Sequence, residues 1–345
     1  FNVGNPENFD QITHVDRRFL SIKPYQNPRF ASLFILSAIM EQQGDVSVSV
    51  IVPCFNSAAT IEKCLESLEA RKTSFKTEVI VVDSSVDETP NLVRTRFPNV
   101  RLIHLTERHS CGAARNVGLK STSSDIVLFT DSDCIVPSNW VQTMTEQLTR
   151  GGADAVCSAI ANGTPDSVSG TIGYYLEFFR FLPHDGGPVT TDWLLGGTSG
   201  FRRKVLQGFQ YSDVSLGDDF LMSHRLKSQG AHLMMVSSVA VSHMNRTGFK
   251  LVFDYQRKIG IAASQYRAVS NPLLISRLSR APFVALPAPL VILPWVGSHV
   301  LFKLGFRKFI QYLLYSPVIL VMSCAWTAGF IKGLRQHRAK EAAEG

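Results

Sequence analysis

The stretch Ile126-Val127-Leu128-Phe129-Thr130-Asp131-Ser132-Asp133 constrains this 345-residue chain more than any other. An unbroken apolar run of this kind reads as a strand covered on both faces. Its abrupt end in two carboxylates puts them where open α/β sheets gather their ligands. On extended backbone residues i and i+2 point the same way, so Asp131 and Asp133 are expected to face one site. Adjacent anionic oxygens repel unless a cation lies beside them, and a hard divalent ion such as Mg2+ or Mn2+ bound to phosphate is the natural candidate. A solvated strand-end turn is the competing reading, because Asp and Ser are common turn residues.

The residues upstream extend the sheet. Residues 46–53 (VSVSVIVP) form a β-branched run stopped by Pro53, and Asn56 or Ser57 is expected to cap a following helix in which Ile61, Leu65 and Leu68 recur at i, i+4 and i+7. Residues 78–82 (EVIVV) read as a second buried strand closing on Asp83, followed by a helix containing Leu92 and Val93. A shorter strand at 100–104 and a helix at 113–119 lead into the strand carrying the two Asp residues. Alternating strands and helices in this order predict an α/β fold with a Rossmann-like, mostly parallel sheet flanked by helices. Asp83 and the Asp131/Asp133 pair then share the carboxyl edge of that sheet, a nucleotide-site layout. The chain contains neither G-x-G-x-x-G nor G-x-x-x-x-G-K-[ST], so a dinucleotide Rossmann site and a P-loop are both unsupported.

The stretches VSVIVPCFNSAATIEKCLESL, EVIVVDSSVDET and GAARNVGLKSTSSDIVLFTDSDC, in that order, resemble the nucleotide-binding half of the family 2 inverting glycosyltransferases with a GT-A fold. LLGGTSGFRRKVL is similar to that family's acceptor-side segment, GDDFLMSHRLKSQG to its Glu-Asp…Arg helix start, and VAVSHM to a late strand that often ends in His. The resemblance covers roughly residues 47–267 and rests on several ordered stretches, which makes it more specific than any one of them. It implies a nucleotide-diphosphate sugar donor, a divalent metal (Mg or Mn) and inversion at the anomeric carbon. Negative charge builds on the departing diphosphate, and a metal held by Asp133 would neutralise it. Asp131 would lie near the ribose or reach the metal through water, with His243 as a further ligand. Pro53, Phe55, Asp83, Arg115, Gly196 and Gly197 would contact the donor, Asp83 selecting the nucleobase. Asp219 would be the base taking the acceptor proton, and Asp218, where the family more often has Glu, is its alternative.

Each residue has a plainer reading: an Asx-turn at Asp83, helix-dipole carboxylates at Asp218 and Asp219, a structural His243, a surface ion pair at Arg115, and simple packing for Trp193. The six cysteines lack C-x-x-C spacing, so neither a disulfide framework nor a zinc site is expected, and a reducing compartment is. Cys54 and Cys134 read as packing residues. Asn162-Gly163-Thr164 and Asn245-Arg246-Thr247 fit a glycosylation pattern, but with no secretory signal recognised they read as chance matches.

Residues 281–302 and 309–331 carry no formal charge over 22 and 23 positions. Both are long enough for the ~20 apolar residues of a membrane helix. Pro282, Pro287, Pro289 and Pro294 predict a kinked or re-entrant first segment. The expected organisation is an N-terminal helical extension (1–45), a GT-A domain (46–270), and a membrane-associated helical hairpin with a basic tail (271–345). The tail and catalytic domain are expected on the cytoplasmic face of the cytoplasmic membrane. Lys250, Arg257, Lys258 and Arg267 suit anionic headgroups or a lipid-diphosphate acceptor. No basic-aromatic module points to nucleic acid. The expected activity is non-processive transfer to a glycolipid or polysaccharide precursor, because residues 256–260 lack the Gln-x-x-Arg-Trp run that processive relatives resemble one another in. Two other classes stay open: a haloacid-dehalogenase-type phosphohydrolase and a non-catalytic membrane-bound sugar-nucleotide binding protein. For the former the required acidic residue is missing, since Met222 follows Gly217-Asp218 at that spacing.

Overall fold

The β-branched run becomes β1 (Ser47–Cys54), buried at every position but the first. It pairs in parallel with β2 (Lys76–Asp83) on one side and β4 (Ile126–Phe129) on the other, and β3 (Arg101–His104) extends the sheet beyond β2. The connecting helices are α1 (Ile61–Glu69), α2 (Thr89–Arg96) and α3 (Cys111–Lys120). In α1 the apolar spacing buries Ile61, Cys64, Leu65 and Leu68 against the sheet, as periodicity requires. The expected side-chain cap by Asn56 or Ser57 is not made: Thr60 occupies the cap position, and the Ser57 carbonyl accepts from the amides of Thr60 and Ile61. Asn56 is instead in the left-handed region (φ 50°), and its Oδ1 accepts from Val86 N, fastening the β1 loop to the β2 loop.

This computed structural model describes residues 46–344, which form one compact unit; the expected extension at 1–45 lies outside the described residues. After β4 come β5 (Cys134–Ile135), α4 (Trp140–Thr149), β6 (Ala155–Asn162), α5 (Val168–Phe178), β7 (Val189–Thr190), β8 (Ser199–Arg202), α6 (Asp218–Ser228) and β9 (Leu233–His243). The sheet order is β3-β2-β1-β4-β8-β6-β9-β5, with β7 also on β9. The sheet is parallel through β3, β2, β1 and β4, and again between β6 and β9. It is interrupted by β8, which runs antiparallel to β4 and β6. The antiparallel β5–β9 pairing puts Cys134 opposite His243, which brings the loop after β4 to the end of β9.

The C-terminal region comprises α7 (Phe249–Ser270), α8 (Pro272–Arg280), a 3-10 turn at Pro282–Ala285, α9 (Ala288–Leu304) and α10 (Phe306–Glu344). In the first apolar segment, expected to be kinked or re-entrant, most of the prolines lie outside the helix interior. Pro282 and Pro287 lie in or before turns, Pro289 falls in the first helical turn where no backbone donor is needed, and only Pro294 is inside α9. The sequence boundary at 270 does not mark a gap in packing. A Cβ at Gly260 would overlap the Trp326 carbonyl, and one at Gly329 the Arg257 carbonyl, so α7 and α10 touch backbone to backbone.

Candidate active site

Arg115 organises the site. Ser110 caps α3 by accepting from Ala113 N, which sets the helix so that Arg115 points inward beneath the sheet edge. Only 3% of its side chain is exposed. One terminal nitrogen donates to Asp131 Oδ1 at 2.7 Å and the other to Asp218 Oδ2 at 2.7 Å. The guanidinium also stacks over Tyr211, 5.4 Å from the ring centre. It is therefore no surface ion pair but a buried clamp between the loop after β4 and the start of α6.

The segment after β4 is a turn, not the extended run expected, with Cys134 N donating to the Asp131 carbonyl at 3.0 Å. The two carboxylates consequently separate. Asp131 faces Arg115 and Gly197, where a Cβ would overlap its Oδ2. At Gly196 a Cβ would approach Arg115 to 2.8 Å, so the glycine pair is what lets guanidinium and carboxylate approach the backbone. Asp133 turns instead toward His243, its Oδ2 lying 3.5 Å from Nε2. His243 Nδ1 is 2.9 Å from Asn245 Oδ1, and Asn245 Nδ2 donates to Asn162 and Thr164. This network orients the ring, with Nδ1 toward Asn245 and Nε2 toward Asp133. It also engages Asn162 and Asn245 internally. Among the described residues no three His, Cys, Asp or Glu side chains already form a metal cluster. Asp133 and an oriented His243 nonetheless fit a divalent ion whose remaining ligands come from a diphosphate.

Asp218 and Asp219 open α6 after Gly217, whose φ of 87° lets the chain turn into the helix. Asp219 accepts from Gly196 N at 3.1 Å and from Phe220 N at 2.7 Å. Burial, and then the negative charge of Asp218, push its carboxyl up to about 6. Trp193, which precedes the glycines, packs edge-on against Phe181 and Phe220, and Tyr266 of α7 closes the cluster at 4.4 Å from Phe220. An aromatic wall thus stands beside the α6 carboxylates, with Trp193 half-buried in it.

Asp83 is fully buried, and both its oxygens are taken: Oδ1 by the amide and hydroxyl of Ser85, Oδ2 by His104 Nδ1 at 2.7 Å. Pro53 lies within β1 opposite Val82, and half-buried Phe55 carries the Arg108 guanidinium 4.5 Å above its ring. Cys54 is buried and its thiol is pushed up to about 12 by that burial, consistent with packing and not nucleophilic chemistry. Sequence reasoning passed over Glu177 and Tyr255 entirely and named Arg246 only within a glycosylation pattern. Glu177 of α5 is pushed up to about 7 by burial, opposed by Arg246 and His243. Arg246 lies 3.9 Å from Glu177 and 3.6 Å over the Tyr255 ring. The position of Arg246, three residues past a strand-terminal His, was a usable signal; Glu177, inside an apolar helix, gave none.

A parallel sheet whose carboxyl edge carries these acids, joined to a second half that supplies the α6 carboxylates, defines a GT-A-type glycosyltransferase. Residues 49–209 match the model of glycosyl transferase family 2. The chain is 25% identical over 331 residues to the succinoglycan biosynthesis protein ExoA of Rhizobium meliloti, covering 85% of this chain and 96% of that protein. It is 34% identical over 114 residues to glycosyltransferase AglE of Haloferax volcanii, a match spanning 32% of this chain but only 38% of AglE. Among solved structures, mannosyltransferase PcManGT of Pyrobaculum calidifontis, in complex with GDP-Man and Mn2+, superposes with a TM-score of 0.56 at 20% identity, over 89% of this chain and 96% of that one. TarS of S. aureus with UDP-GlcNAc gives a TM-score of 0.50 at 18% identity, over 86% and 92%. The chain is thus a glycosyltransferase that carries a glycosyl transferase family 2 domain.

Proposed function

We propose that the protein transfers one sugar per encounter, with inversion, from a nucleoside-diphosphate sugar to a glycolipid or polysaccharide-precursor acceptor at a membrane. The observation that carries this reading is the Arg115 clamp, which joins Asp131 on the donor edge to Asp218, the neighbour of Asp219 at the start of α6, through two 2.7 Å contacts. Asp219 is the base. Its raised affinity for protons suits it to take the acceptor hydroxyl proton near neutral pH. As that proton moves to the carboxylate, the acceptor oxygen bonds to the anomeric carbon and the bond to the diphosphate oxygen breaks, giving inversion in a single displacement. Asp218 sets the charge environment of Asp219 and anchors Arg115. A divalent ion held by Asp133 and His243 would supply charge neutralisation at the departing diphosphate, and the complexes of PcManGT with Mn2+ and GDP-Man and of TarS with UDP-GlcNAc support this donor class. Asp83 shapes the base pocket through Ser85 and His104, with Pro53 and Phe55 on its other side. ExoA, a succinoglycan biosynthesis protein, supports a saccharide acceptor. Two helices among the described residues, Pro282–Leu304 and Phe306–Ala343, are long and apolar enough to cross a membrane, and their apolar windows are only 22% and 39% buried, which supports attachment to a bilayer.

A thermal-shift screen of nucleotide sugars with Mn2+, paired with donor hydrolysis, tests the reading. A ligand at 100 times its Kd stabilises by about 2.7 kcal/mol, so one donor should stand clear of the others. No protection and no hydrolysis with any nucleotide sugar would refute it.

A further inference from the structure

We infer that α9 and α10 lie flat in one leaflet, docked along the catalytic unit, and do not cross the bilayer. This rests on the membrane attachment proposed above and goes further by fixing its geometry. Near its start α10 is held by α5: the Tyr312 ring is 5.7 Å from that of Tyr175, and the Tyr175 hydroxyl donates to Gln311 at 3.2 Å. Twenty-two residues later Gly333 presses on Ser264 of α7, two residues from the Tyr266 that packs on Phe220 of the catalytic helix α6. That separation is roughly 33 Å at 1.5 Å per residue, comparable to the ~30 Å hydrocarbon core. A crossing helix would carry one of these attachments to the far side, yet both α5 and α7 belong to the same unit as the active site. The antiparallel neighbour is tied down as well: Trp295 of α9 meets Phe179 at 4.8 Å, and Lys303 Nζ donates to the Arg180 carbonyl at 2.7 Å.

What remains outward is apolar. Ile310, Leu313, Leu314 and Val321 line the free face of α10, and Leu290 and Val291 that of α9. Exposed basic residues bracket the α10 stripe, Arg307 and Lys308 at one end and Lys332 and Arg335 at the other. From residue 255 to 340 the chain carries twelve Lys or Arg and no Asp or Glu. An apolar face rimmed only by positive charge matches a leaflet with anionic headgroups, and not the mixed-charge rim of a protein partner. The arrangement presents the α6 carboxylates to an acceptor carried by that same leaflet.

The test places single cysteines at Arg277, Lys308 and Arg335 in full-length protein with the exposed Cys111 and Cys324 changed to serine. Membranes from expressing cells, prepared as right-side-out and inverted vesicles, are treated with a membrane-impermeant maleimide, and nucleotide-sugar protection against heat confirms that each variant is folded. All three positions should label in the same vesicle orientation. Labelling of Lys308→Cys only in the opposite orientation from Arg277→Cys and Arg335→Cys would show a spanning hairpin and overturn the in-plane geometry alone. Full-length protein recovered outside the membrane fraction, as monomer or as a dimer burying the stripe, would overturn the membrane attachment beneath it, leaving the transferase reading to its own donor assay.

Discussion

Arg115→Met removes the clamp while keeping an unbranched side chain of similar reach. The variant leaves Asp131 and Asp218 without their 2.7 Å donors, and Asp219 beside an uncompensated Asp218. Removing one partner of a buried ion pair destabilises by about 3–5 kcal/mol. Asp131 keeps 34% of its side chain exposed, so water relieves it in part, and the lower end, about 3 kcal/mol, is expected. At roughly 2 °C per kcal/mol for a domain this large, the melting midpoint should fall by about 6 °C at pH 7.5. The sign of its pH dependence follows from the same carboxylates. Acid neutralises the negative charge that the missing guanidinium leaves uncompensated, so the penalty shrinks as pH falls. The gap between variant and wild type should therefore narrow as pH is lowered toward 4.5. Differential scanning fluorimetry across pH 4.5–8 reads both effects. A midpoint within about 1 °C of wild type at pH 7.5, or a gap that widens in acid, would refute the clamp.

Asp219, pushed up to about 6, should give kcat/KM for the acceptor an acidic limb near pH 6, and Asp218→Asn should move that limb lower by removing the neighbouring charge; a limb unmoved by Asp218→Asn would argue against their coupling. Asp219→Asn should reduce transfer by roughly 10²-fold or more while donor affinity measured by calorimetry stays near wild type; equal small effects from both Asp variants would remove the base assignment. Asp133→Asn should abolish the Mn2+-dependent part of nucleoside-diphosphate binding with the fold intact, and unchanged calorimetric affinity would exclude it as a ligand. Gly329→Leu, which drives a side chain into the Arg257 carbonyl, should destabilise by about 1–3 kcal/mol, and truncation after Ser270 should yield aggregated protein, because it uncovers the face of α7 that α10 packs. A soluble, donor-binding truncation would show that α7 does not need α10.

Much of the fold was legible because its determinants are local. The β-branched runs at β1 and β2 and the spacing of Ile61, Leu65 and Leu68 reflect burial that each segment undergoes regardless of its partners. The gathering of Asp83, Asp131 and Asp133 at the carboxyl edge of the sheet was legible too, since it follows from strand direction. Their partnerships were not. Asp131 and Asp133 are one residue apart, yet a turn sends one to Arg115 and the other to His243, because β5 pairs with β9 more than a hundred positions later. Asp83, expected to meet the nucleobase, also holds Ser85 and His104, contacts visible only when β3 lies beside β2.

The same division holds at the C-terminus. Two uncharged segments that seek an apolar medium, flanked by basic residues, are plain from composition. What the second of them packs against emerges with folding, through glycines at 260, 329 and 333 that let α7 and α10 close to backbone contact. Hydrophobicity is a property each residue carries into any fold, whereas hydrogen bonds, ion pairs and helix contacts depend on distances of a few ångströms between groups far apart in the chain, and those distances exist only after the whole unit has packed.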